Sequence, residues 1–168
     1  MADDVRLGFL RVAEPRPGLF VGGLLVTGLR GRPLEFQCTT PVQPNPTQVT
    51  LYGPTLRPFV VGELIGKTLL DKAAVKPHLI LVDEPDALEL RPHCGQPVAR
   101  ILTPDSPPTE LSDETLLEAG GVLLQFHRQY PPDRDAVEPI DFDEHIDLSE
   151  PLDRVGDALR QTVPAAAA

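Results

Sequence analysis

Apolar and polar residues set the first elements of the chain. Val5, Leu7 and Phe9 fall on one face of an extended segment, which predicts a strand over Val5–Val12. Glu14-Pro15-Arg16-Pro17-Gly18 is turn chemistry and breaks it. Leu19–Thr27 is apolar on both sides, with Leu19, Val21 and Leu25 on one and Phe20, Leu24 and Val26 on the other. Such a strand belongs inside a sheet covered on both faces. Gly22-Gly23 within it suit close approach of a helix or backbone. Gly28-Leu29-Arg30-Gly31 makes a hairpin connection. After it, Leu34, Phe36 and Cys38 alternate with Glu35, Gln37 and Thr39 in a half-wet strand that Pro41, Pro44 and Pro46 close. Cys38 reads as a small core residue.

The period then changes. Val60, Leu64, Ile65, Leu69 and Leu70 return at helical spacings, which predicts a helix beginning near Thr55 or Pro58 and closing at Lys76-Pro77. His78–Val82 is a short apolar strand of the parallel-sheet kind. Glu84–His93 reads as a short helix capped by Asp83 and ended by Cys94-Gly95. Val98–Leu102 is a further strand, followed by a proline-rich loop over Thr103–Thr109. Ser112 has N-cap chemistry, and Asp113 and Glu114 suit the first turn of a helix running to Tyr130 through Gly120-Gly121. The order predicts an α/β fold: a mixed sheet with an N-terminal three-strand meander, then strand–helix units. It sets a domain over residues 1–130 and a C-terminal extension over residues 131–168. In the extension, Leu152, Val155, Leu159 and Val163 are spaced for one short amphipathic helix.

Charge adds a division that hydropathy does not show. The 168 residues carry 25 acids against 15 bases, a net charge of −10. Residues 1–80 hold 6 acids and 9 bases, whereas residues 81–168 hold 19 and 6, so a near-neutral body precedes an acidic segment. The acids gather after Pro131, among prolines that prevent a long helix. Ile140–Leu148 mixes apolar and acidic residues, a pattern suited to an added strand, a strap across the body or a contact with a partner. No apolar run approaches the roughly 18 residues of a membrane span, and Met1-Ala2-Asp3-Asp4 lacks the basic start of a signal peptide. Two cysteines read as reduced thiols. The expected setting is the cytoplasm, with no membrane partner.

The element order over Val5–Tyr130 resembles the core of the ribonuclease H-like folds, which include endonuclease V-like nucleases. That resemblance implies carboxylates at one end of the sheet holding Mg or Mn, which activate water against a phosphodiester. It implies acids within the first strand, on the first helix and just after the fourth strand. Asp83 meets the last position and Glu63 falls within the first helix. The first strand carries Arg6 and Arg11 but no carboxylate, and Glu14 lies beyond it. Glu14, Glu63 and Asp83 are therefore the candidate catalytic set, with Glu63 and Asp83 as candidate metal ligands.

Other chemistry is sparse. His78, His93, His127 and His145 show no zinc-site spacing, and no phosphate loop, dinucleotide fingerprint or nucleophile elbow occurs. Nucleic-acid binding needs positive surface, for which Arg30 and Arg32 at the hairpin tip are the candidates. The missing motifs and the segregated acidic stretch lead to one reading. The chain is expected to be a non-catalytic cytoplasmic α/β domain without a cofactor, binding another protein through its acidic C-terminal segment. The alternative is a metal-dependent nuclease.

Overall fold

Strand periodicity divides the buried residues between two faces of one sheet. The computed structural model describes residues 4–105, 115–143 and 146–162. Its strands are β1 (Arg6–Arg16), β2 (Leu19–Gly28), β3 (Pro33–Cys38), β4 (Leu79–Val82), β5 (Val98–Leu102), β6 (Leu116–Ala119) and β7 (Val122–Phe126). They join in the order β3-β2-β1-β4-β5-β7-β6. β1, β4 and β5 run parallel, and the remaining pairs are antiparallel. Leu7, Phe9, Leu79 and Leu81 enter one buried cluster, while Leu10, Val12, Ile80 and Val82 enter the other. The two-sided burial of β2 and β4 follows from this double cover. The fold is thus the mixed-sheet α/β class, with a three-strand meander at its N-terminal side.

One face is covered by a helical run. It comprises α1 (Pro46–Tyr52), a 3-10 turn, α2 (Leu56–Pro58), a π-helix (Phe59–Gly66) and α3 (Lys67–Lys72). A 3-10 helix (Pro85–His93) packs beside it. Val60, Val61, Ile65 and Leu69 are fully buried against the sheet. Gly22 on β2 makes this approach possible, because a Cβ there would collide with Ile65. A local signal passed over in the sequence specifies α1. Asn45 Oδ1 accepts from Gln48 N at 2.8 Å, and Gln48 Oε1 accepts from Asn45 N at 3.0 Å. This is a capping box, with Pro46 in the first turn and Gly53 (φ +52°) at the end.

The other face is covered by the C-terminal segment. α5 (Glu150–Thr162) lays Leu152, Val155 and Leu159 onto β1 and β2, at the helical spacing of the sequence; Val163 lies outside the described residues. α4 (Pro132–Val137) contributes Val137, and the strap between the helices contributes Phe142 and Leu148. The acidic segment therefore completes the core with its apolar residues.

Two expectations are corrected. The helix expected to Tyr130 is a hairpin from residue 116 onward. Its β6–β7 turn is Gly120-Gly121, with φ of +57° and +78°. Two adjacent residues at positive φ make the tight turn that suits strand twist, and glycine is the residue that adopts them. The Ser112 cap falls outside the described residues. β1 also runs past its expected end, through Glu14-Pro15-Arg16, because the pairing shifts register between Ala13 and Arg16. No helix among the described residues is long and apolar enough to cross a membrane.

Candidate functional site

β1 and β4 are parallel neighbours, so Arg11 on β1 and Asp83, one residue past β4, come to the same end of the sheet. Arg11 Nε lies 3.2 Å from Asp83 Oδ2. The same guanidinium donates from Nη1 to the Leu152 carbonyl (3.1 Å) and stands 3.6 Å from Asp153. α5 thus closes over this arginine. Asp83 Oδ1 is buried without a hydrogen bond. Burial pushes the Asp83 carboxyl above the usual range, with Arg11 opposing it. Asp83 is not a helix cap: Glu84 occupies that position and makes no side-chain cap bond.

Glu84 has its own cation. Arg57 Nη1 pairs with the Glu84 carboxylate and lies 3.4 Å from Asp86 Oδ2, with its guanidinium over the Phe20 ring. Burial raises Glu84 too, against the hydrogen bond from Arg57. Arg100, paired across the sheet with Val82, adds positive potential to the same end.

The three candidate acids do not share one environment. Glu14 is exposed at the end of β1, and its carboxylate accepts from Gly18 N at 2.9 Å. Glu63, in the π-helix, faces His93 Nε2 at 3.8 Å. Asp83 faces Arg11. Hard divalent ions need several converging oxygens, and among the described residues no three His, Cys, Asp or Glu side chains gather to hold a metal. Asp83 and Glu84 are adjacent, but each is already answered by an arginine. The described residues do not fit a Mg or Mn site.

A different grouping forms where the π-helix meets the 3-10 helix. Gly62 lets the two backbones touch, since a Cβ there would lie 2.8 Å from the backbone of Glu89 and Leu90. That contact sets Glu63 beside Glu89. A cavity of about 290 Å³ is lined by Tyr52, Thr55, Phe59, Glu63, Glu89 and His93. Tyr52 and Phe59 stack with ring centroids 4.5 Å apart. Next to it, a cleft of about 500 Å³ shares Thr55, Pro58 and Glu89 and reaches His127. His127 is buried; its Nδ1 accepts from Gln129 N at 3.1 Å, so the neutral ring carries its proton on Nε2. Nε2 stands 3.3 Å from Glu89 Oε1 but makes no hydrogen bond.

The histidines are scattered along the sequence, with His93 and His127 34 positions apart. The nearest available signal was Gly62 inside an apolar helical run, a mark of close packing. Arg30 and Arg32 are exposed at the β2–β3 turn, where Arg154 Nη1 donates to the Gly31 carbonyl at 3.0 Å. His78 is used structurally: its Nδ1 accepts from Arg6 N at 2.9 Å. Asp133 also turns inward, held by Arg91 Nε (2.6 Å) and Nη2 (3.2 Å).

No known family model and no curated protein matches the chain. Among solved structures, the chain is similar to human endonuclease V, with a TM-score of 0.51 and 13% identity. The match covers 98% of this chain and 86% of that one. At that identity the likeness is one of fold. The mixed seven-stranded sheet with helices on its faces is a ribonuclease H-like fold.

Proposed function

We propose that this chain is a non-catalytic ribonuclease H-like domain whose work is to bind another protein. The observation that carries the reading is the Arg11–Asp83 pair. A guanidinium on the first strand supplies, from within the chain, the positive charge that a metal would bring to the carboxylate after β4. A shared fold with a nuclease does not supply the nuclease's chemistry.

The C-terminal segment supports binding in one respect. Its apolar residues are spent on the core, but Asp135, Glu138, Asp141 and Asp143 are exposed, a negative face for a basic partner surface. Cys38 and Cys94 are free thiols, which suits the cytoplasm.

The test is an incubation with single- and double-stranded DNA and RNA in Mg²⁺ or Mn²⁺. The expected result is no cleavage above that of the Asp83→Asn protein. Cleavage abolished by Asp83→Asn would overturn the reading in favour of the metal-dependent nuclease. Deleting residues 131–168 is not an informative test of the acidic face, because the deletion removes core residues. Asp135→Asn with Glu138→Gln removes charge and leaves the core whole.

A further inference from the structure

α1 is a well-capped helix that buries none of its residues. Val49 and Leu51 are 48% and 79% exposed, and Leu64, beside Glu63 on the π-helix, is 39% exposed. Val49 and Tyr52 are three apart, so they share a helix face, and Tyr52 stacks on Phe59 at the mouth of the smaller cavity. The Val49–Tyr52 face of α1 thus gives an apolar rim to a cavity that carries Glu63 and Glu89.

The surroundings of those two glutamates differ from those of the ion-paired acids. Asp71, Asp83, Glu84, Asp133, Glu150 and Asp157 are each paired with a lysine or arginine. Glu63 and Glu89 have only imidazoles beside them among the described residues. A second observation points the same way. The buried His127 Nε2–H faces Glu89 with no hydrogen bond made, so a guest that fixes the Glu89 carboxylate would give that donor its acceptor.

From these observations we infer that the groove between α1, the π-helix and the 3-10 helix binds an apolar, basic segment of a partner protein. One lysine or arginine enters the cavity against Glu63 and Glu89, beside the Tyr52 and Phe59 rings, where a cation is favoured by both charge and ring quadrupole. Its apolar neighbours cover Val49 and Tyr52. The cavity has room for one long side chain, and the exposed apolar residues lie outside it, which fits a peptide rather than a small solute. The inference deepens the protein-binding reading by naming the partner's chemistry.

Fluorescence anisotropy with a labelled peptide alternating leucine and arginine tests it. The wild type is expected to bind. Glu63→Gln with Glu89→Gln is expected to weaken binding about tenfold or more, and so is Val49→Ser, which sits on a helix with no buried residue and so leaves the core intact. Glu118→Gln with Asp157→Asn, two exposed acids away from both the groove and the acidic face, is expected to leave binding unchanged, and a serine–arginine peptide to bind more weakly. Failure of the wild type to bind would overturn the inference, as would equal losses from the Glu118/Asp157 variant. A dimer in sedimentation that Val49→Ser dissolves would also overturn it, by making a second copy the occupant. Cleavage in the nuclease assay removes the protein-binding reading whatever the peptide does. Loss of peptide binding alone removes the groove and leaves that reading standing.

Discussion

Asp83 and Glu84 just past β4, and Glu63 and Glu89 on two touching helices, are four carboxylates with opposite surroundings. The first pair sits where the resemblance places catalytic acids, yet Arg11 and Arg57 neutralise it. The second pair sits where no motif pointed, and only His93 and His127 stand beside it. The difference teaches that a carboxylate's position in a fold does not make it a ligand site. What matters is whether its charge is already answered from within the chain, because an answered charge is part of the structure and an unanswered one at a groove is open to a guest.

The two regions are joined by the 3-10 helix Pro85–His93, and Gly62 lets its middle, at Glu89 and Leu90, lie against the π-helix. Gly62→Val is the substitution with the largest expected effect. Its side chain must force the two backbones apart, at about 3 kcal/mol, and should lower the urea midpoint while opening the groove. If it costs less than about 1 kcal/mol, the close approach does not set the groove.

Arg11→Ala comes next. It strips Asp83 of its cation, but both side chains are about one third exposed, so solvent screens the loss. The expected cost is about 1–2 kcal/mol, below that of breaking a fully buried pair. Adding Asp83→Asn should recover part of it, because the stranded charge is gone. Against this, Glu63→Gln with Glu89→Gln should change stability by less than about 0.5 kcal/mol. Equal costs in the two regions, measured by denaturation, would erase the contrast between them.

A pH series gives the smallest effect and a definite sign. Burial holds Asp83 above the ordinary carboxylate range. Between that range and the raised value, the folded chain binds a proton that the unfolded chain releases, so this group's penalty is present at neutral pH and relieved as pH falls. The stability of wild type relative to Asp83→Asn should therefore rise as pH is lowered from 7 towards the acid range. Glu35 runs the other way. The Val75 and Ala74 amides and Gln37 hold its carboxyl below the usual range, so its contribution is lost on acidification. A fall in the Asp83 difference on acidification would mean that Arg11 outweighs burial.

Much of the fold was legible because strand alternation is a local property. β2 and β4 were plain from residues apolar on both sides, and α5 from Leu152, Val155 and Leu159. The β6–β7 hairpin was misread as helix because Leu116, Leu117 and Val122–Leu124 are apolar without a clear period. The decision lay with Gly120-Gly121, whose positive φ values are a property of the folded turn.

The sequence by itself determined the mixed α/β class, the order of its first five strands along the chain, the lack of an acid between Val5 and Val12 and the concentration of acids after Pro131. Tertiary structure decided what those charges do. Parallel pairing of β1 and β4 brought Arg11 to Asp83, and α5 closed over it, so the Asp83 charge is answered by an internal ion pair. The contact at Gly62 placed Glu63 and Glu89 at one groove although they are 26 positions apart. Which charges meet depends on strand pairing and helix contact between residues distant in the chain, and that proximity is written in no local pattern.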